Sequence, residues 1–180
     1  DLVGCCAQTD VKGDRMLRPA EQPNPDAYVR IKERRSDGII VSGCKLHISE
    51  ASVADEVLVV PTRALRQEDK DYAVVFATPV NAKGVKLFTS PAMVSEIGEE
   101  AEWNWPKTGR LRGVSECMIV FDDVFVPWNR VFMCGEWQFS RDQAWMFGVF
   151  GGKKDSSWYK TSDHQLGVAA PLKWKDDAKA

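Results

Sequence analysis

The stretch "AYVRIKERRSDGIIVSGCKLHIS" restricts the fold more than any other part of the chain. "AYVRIKERR" alternates apolar and charged residues, the period of a half-exposed strand. "SDG" is a turn signal and "IIVSGCKLHIS" resumes as a second strand, so the segment predicts a β-hairpin. Similar short runs recur on both sides of it. "DLVGCCAQ" reads as a strand, and "DEVLVVPT" is continuously apolar, which suits a more buried strand closed at Pro61. "ALRQEDKD" is a polar connector, "YAVVFATPV" a strand, "NAKG" a turn and "VKLFTS" another strand. A polar, Trp-bearing loop, "EIGEEAEWNWPKTGRLRG", then leads to "VSECMIVFDDVFVP" and "NRVFM". Short strands at regular spacing predict a mainly β domain, a barrel or a sandwich.

The period changes at Glu136. "EWQFSRDQAWMFGVF" sets Trp137, Ala144, Trp145 and Phe147 near helical spacing and predicts a helix start. Beyond Gly152 the pattern dissolves into Lys, Asp, Ser and isolated aromatics, the composition of a mobile tail. The organisation expected is a β domain over 1–135, a short helical segment over 136–152 and a tail over 153–180. No internal repeat is visible.

The 180 residues suffice for one domain with a real core and a short appendage. A net charge of −2 gives no reason to expect nucleic acid or a membrane surface as partner. No apolar run approaches the ~20 residues of a membrane span, and no signal-peptide pattern opens the chain. It begins at Asp1 inside a strand pattern, as a piece of something longer would. The cysteines, Cys5, Cys6, Cys44, Cys117 and Cys134, are odd in number and form no C-x-x-C pair. A reduced, cytoplasmic compartment follows as the simpler expectation, with thiols acting as small buried apolar groups. Adjacent Cys5 and Cys6 should point to opposite faces of a strand, and Cys117, within "SECMIVF", should lie in the core.

"AQTDVKGDRMLRP" concentrates polar chemistry in one loop between apolar anchors. A solvated turn would need only Asp and Gly, with Asp14 as the turn-stabilising side chain. A loop that holds an anion would also want Lys12 and Arg15, exposed backbone at Gly13 and a hydroxyl at Thr9. The residues alone leave both readings open.

Three segments together carry a resemblance. "TDVKGDRMLRP…Q", "GIIVSGCKLHIS…ADEVLVVPTRALRQEDKDYAVVFATPV" and "VFDDVFVPWNRVFMCGE" resemble the family that joins 4-hydroxyphenylacetate 3-hydroxylases to 4-hydroxybutyryl-CoA dehydratases. They are similar, more distantly, to acyl-CoA dehydrogenases. The likeness runs from Asp1 to Gly148. It implies an acyl-CoA dehydrogenase-like middle-domain β-barrel, set between two helical domains this chain lacks, with FAD against the barrel. It further implies a homo-oligomer when intact, an acyl-CoA or phenolic substrate, and a chain incomplete as an enzyme on its own.

Under that resemblance the polar loop is a flavin loop. Backbone N–H groups around Gly13, with Lys12 and Arg15, would hold the pyrophosphate. Thr9 and Asp10 would bond the polar edge of the flavin ring. Asp14, Lys45 and Ser49 complete the implied cofactor-binding set, Ser49 as a hydroxyl that meets flavin or substrate.

"TDVKGDR…RP…Q", "EDKDYAV" and "FMCGE" look closer to the dehydratase branch. That branch holds a four-iron, four-sulfur cluster on three Cys and one His. His47 matches the histidine and is the candidate catalytic and metal-ligating residue. The matching cysteine position is Ala54, and alanine cannot replace a cluster thiolate. Cys44 lies at odd spacing from His47, so on a strand the two face opposite ways. The hydroxylase branch needs no metal; there, reduced flavin from a partner reductase and oxygen hydroxylate a phenol. Its catalytic histidine aligns with Cys6, a poor proton donor near neutral pH compared with imidazole. A non-catalytic, truncated barrel is the third reading, with Trp103, Trp105, Trp128 and Trp137 offering apolar surface to a partner. Gly151 and Gly152 echo a glycine pair that opens the family's helical domain, and His164 falls in the unmatched tail.

Overall fold

The computed structural model describes residues 2–89 and 116–143. Alternating side chains build β2, Arg30–Arg34, with Ile31 buried and Lys32, Glu33 and Arg34 exposed. The chain reverses through "SDG", where Arg35 N–H donates to Gly38 O at 2.8 Å. It returns antiparallel as β3, Gly38–Ser49, and completes the expected hairpin. The other strands are β1 (Gly4–Ala7), β4 (Glu56–Val59), β5 (Val74–Pro79), β6 (Val85–Thr89), β7 (Glu116–Pro127) and β8 (Val131–Cys134).

They form two four-stranded sheets. One runs β1-β4-β5-β8, with β1 parallel to β4 and the other pairs antiparallel. The second runs β2-β3-β7-β6 and is antiparallel throughout. Closing a barrel requires every strand to pair on both sides. Here β1 pairs only with β4 and β2 only with β3, so the described residues make two sheets and no closed barrel. The coarser form of the expectation, a mainly β domain, is what these sheets show.

The core lies between the sheets. Val57, Val59, Val74 and Phe76 from one meet Ile39, Val41, Ile119, Phe121, Val124 and Val126 from the other, all buried. The Phe76 and Phe121 rings stand edge to face with centroids 5.6 Å apart. Each such side chain contributes roughly 1.5–3 kcal/mol by leaving water. Cys117 is buried in this core as expected, and Cys5 is buried while its neighbour Cys6 is half-exposed.

Two connections differ from a plain polar reading. "ALRQEDKD" contains a 3₁₀ helix, Gln67–Tyr72, with Asp69 fully buried. Its Tyr72 packs edge to face on Tyr28 and, with Leu65 and Met133, forms a second apolar cluster. At the far end a 3₁₀ turn, Trp137–Phe139, leads into helical backbone over 140–143. Ser140 anchors that turn: its Oγ accepts from Leu65 N–H at 2.8 Å and donates to Trp137 O at 2.6 Å. Ala144, Trp145, Phe147, Trp103, Trp105, Gly151, Gly152, His164 and the 153–180 tail lie outside the described residues. Among the described residues no helix is long and apolar enough to cross a membrane.

Candidate functional site

The polar loop leaves β1 and divides into parts with different tasks. Its first part is buried. Lys45, on β3, is 1% exposed, and its Nζ lies 2.8 Å from Asp10 Oδ1. The same ammonium donates to Gln8 O at 2.8 Å and Val60 O at 2.7 Å, so each of its three protons has an acceptor. Asp10 Oδ1 also accepts from Val29 N–H at 3.3 Å. Thr62 Oγ1 accepts from Asp10 N–H at 3.1 Å, sits 2.6 Å from Gln8 O, and hydrogen-bonds Asp10 Oδ2. Burial pushes the Lys45 ammonium below the ordinary lysine range, and the Asp10 charge opposes that shift. Neither Asp10 nor Lys45 offers its charge to solvent. Instead they join the segment after β1, strand β3 and the segment after β4, which ties the two sheets together.

Between these fixed points lies Thr9. Its carbonyl accepts from Leu46 N–H at 2.8 Å, so its backbone is held. Its half-buried hydroxyl has no hydrogen bond among the described residues.

The middle of the loop is closed by Gln22. Gln22 Oε1 accepts from Asp14 N–H at 3.0 Å, and its Nε2 donates to Asp14 O at 2.7 Å. Asp14 Oδ1 caps the turn by accepting from Met16 N–H at 2.8 Å. Lys12 and Gly13 both take left-handed backbone, at φ 75° and 54°. A Cβ on Gly13 would stand 2.4 Å from Gln22 Oε1. A side chain at position 13 would displace Gln22 Oε1 from this closure, and of the N–H groups around Gly13 that of Asp14 is already bonded. Farther on, Arg18 Nε donates to Asp69 Oδ2 at 2.8 Å, and Ala20 N–H donates to Asp69 Oδ1 at 3.2 Å. This fastens the loop's end to the 3₁₀ helix. Lys12, half-buried, and Arg15, exposed, form no ion pair among the described residues.

The end of β3 supplies the other candidates. Lys45 pairs with Ile119 and Ile48 with Cys117, so two residues of β3, Leu46 and His47, face only Met118 on β7. This bulge turns His47 into left-handed backbone at φ 57°. Bulges re-aim side chains, and strained non-glycine residues cluster at functional sites. His47 is exposed and its Nδ1 lies 2.8 Å from Glu116 Oε2, and its Nε2 makes no hydrogen bond among the described residues. Ser49 is exposed two residues on. Cys6 is half-exposed, and burial pushes its thiol up to about 11, so it stays protonated near neutral pH.

Ala54 packs in the apolar core, 7% exposed, while His47 faces solvent. Among the described residues no three His, Cys, Asp or Glu side chains come together to hold a metal. A methyl group at the expected thiolate position does not fit a four-iron cluster.

Three residues central to this geometry, Gln22, Thr62 and Asp69, carry no local sequence signal of the partners they hold. The pattern did hold one signal for the buried lysine: Lys45 is in phase with inward-facing Ile39 and Val41 along β3.

The family described as "4-hydroxyphenylacetate 3-hydroxylase N terminal" matches residues 1–133. The 4-hydroxybutyryl-CoA dehydratase/vinylacetyl-CoA-Δ-isomerase of Clostridium aminobutyricum is 39% identical over 140 residues, 78% of this chain and 29% of the relative. The 4-hydroxyphenylacetate 3-monooxygenase oxygenase component of a Geobacillus species is 41% identical over 118 residues, 64% of this chain and 23% of the relative. In solved structures, the oxygenase component (HpaB) of 4-hydroxyphenylacetate 3-monooxygenase with FAD and 4-hydroxyphenylacetate aligns with a TM-score of 0.67 and 30% identity. That alignment covers 83% of this chain and 30% of the solved one. The chain thus spans less than a third of the length of these relatives, and it belongs to the 4-hydroxyphenylacetate 3-hydroxylase N-terminal family.

Proposed function

We propose that this chain is the FAD-holding β domain of a flavoprotein resembling 4-hydroxybutyryl-CoA dehydratase, corresponding to the acyl-CoA dehydrogenase-like middle barrel. The observation that carries the reading is the division of the polar loop. Asp10, Asp14 and the Asp10, Lys12, Asp14 and Met16 N–H groups are committed internally, while the Thr9 hydroxyl and the Lys12 and Arg15 cations have no hydrogen bond or ion pair among the described residues. Lys12 and Arg15 would neutralise the pyrophosphate through charge-assisted hydrogen bonds. Thr9 and Ser49 would bond the polar edge of the cofactor, and Asp10, Gly13, Asp14 and Lys45 would shape the loop beneath it. When bound, the flavin supplies the electron- and hydrogen-transfer chemistry. His47, with Nδ1 on Glu116, would hold or move a proton at Nε2. The substrate, acyl-CoA or phenolic, would be closed in by further domains and by copies of the intact protein in a homo-oligomer.

Ala54 favours a second reading, a 4-hydroxyphenylacetate 3-hydroxylase-type monooxygenase domain, because that reaction asks for no thiolate there. The test of flavin binding is a fluorescence titration of the 180-residue chain with FAD, with FMN as control. Saturable binding that prefers FAD is expected. Absence of saturable binding overturns the reading for this chain.

A further inference from the structure

The buried lysine has a consequence for two candidate groups it does not touch. Lys45 immediately precedes the bulge that turns His47 outward, and its backbone bridges Asp10 across an isolated antiparallel contact. The next N–H, of Leu46, donates to Thr9 O at 2.8 Å. Lys45 is therefore the point at which the polar loop and the end of β3 are fixed to one another. Its side chain passes between the sheets to acceptors on two separate segments, Gln8 O and Val60 O, and to Asp10. An apolar residue of similar length would fill the same space, and replacing a buried ion pair by apolar groups is often neutral for stability. What such a residue cannot do is hold two carbonyls and a carboxylate at set distances. The backbone contacts to Asp10 and Thr9 would remain, but without the cation that fixes Gln8 O, Val60 O and the Asp10 carboxylate beside them.

We infer that Lys45 is a positioning residue which, through Asp10, Gln8 O and Val60 O, sets Thr9 and His47 in fixed relation to one another. The inference rests on the flavin reading above for its cofactor, but its geometric part stands apart from it. Lys45 acts without contacting the cofactor, and its contribution is the placement of groups that do.

The experiment compares the 15N-labelled 180-residue chain with the variant Lys45→Met/Asp10→Asn, which removes both charges together. Two quantities are read on each protein: the backbone amide shifts, and FAD affinity by fluorescence titration. The expected result is a folded variant in which the Thr9, Leu46 and His47 amides shift well beyond those of β4, β5 and β6, with FAD affinity at least tenfold weaker. Unmoved amides at these three positions, with FAD affinity within twofold of wild type, would overturn the inference even if the unfolding midpoint fell. If the wild-type chain binds no FAD, the flavin reading fails, and the amide shifts alone decide the role of Lys45. If the double variant does not fold, Thr62→Val replaces it, leaving the ion pair in place but removing the hydroxyl that steadies Asp10. A shift of the same three amides with about threefold weaker FAD binding supports the inference, and unchanged values contradict it.

Discussion

Asp10 and Arg15 stand five positions apart in one loop and do opposite things. Asp10 is shut between the sheets, its carboxylate divided among Lys45, Thr62 and Val29 N–H. Arg15 is exposed and makes no ion pair among the described residues. The contrast teaches that a dense polar stretch is not a single site. Asp10 serves the frame, Asp14 and Gln22 serve the turn, and Arg18 and Asp69 serve the attachment, while the side chains of Thr9, Lys12 and Arg15 make no hydrogen bond or ion pair among the described residues. Charge in a sequence locates a candidate region; burial decides which members of it face outward.

The buried part of the loop has the most stability to lose. Lys45→Met alone leaves the Asp10 carboxylate without its cation, so urea unfolding should show a loss of about 3–5 kcal/mol. Restoring neutrality with Asp10→Asn should recover most of that loss. A single variant as stable as wild type would mean the ion pair is not the anchor described above.

Asp69→Asn comes next. It replaces a fully buried carboxylate that serves Arg18, Ala20 N–H and Arg66 N–H. A loss of about 2–3 kcal/mol is expected by denaturant titration, the scale of hydrogen bonds to a charged group. Equal stability would show that the loop's end is not held there.

A smaller effect concerns pH. Burial raises Cys5 to about 12 and Cys6 to about 11, from an ordinary value of 9.0. The folded chain thus retains protons that the unfolded chain releases above pH 9. Stability that is full below pH 9 should fall as pH rises toward 11 to 12. Denaturation midpoints between pH 8 and 11 check this, and Cys6→Ser should flatten the slope. A stability that rises over that range would contradict the burial of these thiols.

The smallest effect separates the strained residue from its ion pair. His47→Gly relieves left-handed strain and gives up only an exposed pair with Glu116, a pair worth about 0–1 kcal/mol. Thermal unfolding should therefore move little, or upward by the equivalent of about 1 kcal/mol. A clear loss would show that His47 supports the fold rather than a ligand.

The strands were legible because their patterns are local: alternation in "AYVRIKERR", the "SDG" turn and the apolar run of "DEVLVVPT" each declare themselves within a few residues. What joins them was not. The parallel pairing of β1 with β4 and the sorting of strands into two open sheets depend on contacts between segments some fifty residues apart. The same limit explains Lys45 and Asp69. Each is buried because a partner arrives from elsewhere in the chain, Asp10 for one and Arg18 for the other, and no short-range pattern records that arrival. The His47 bulge was equally hidden, since it arises from a register shift against β7. At the candidate site, the resemblance singled out one loop and one strand end, and the structure divides their residues into frame and surface.

The measurement that tests this division most directly is FAD affinity of Arg15→Ala beside wild type, with the unfolding midpoint taken on the same samples. Weaker binding by about 1–3 kcal/mol is expected with an unchanged midpoint, because Arg15 is exposed and forms no ion pair among the described residues. Equal affinity, or a loss that appears only together with a falling midpoint, would contradict it.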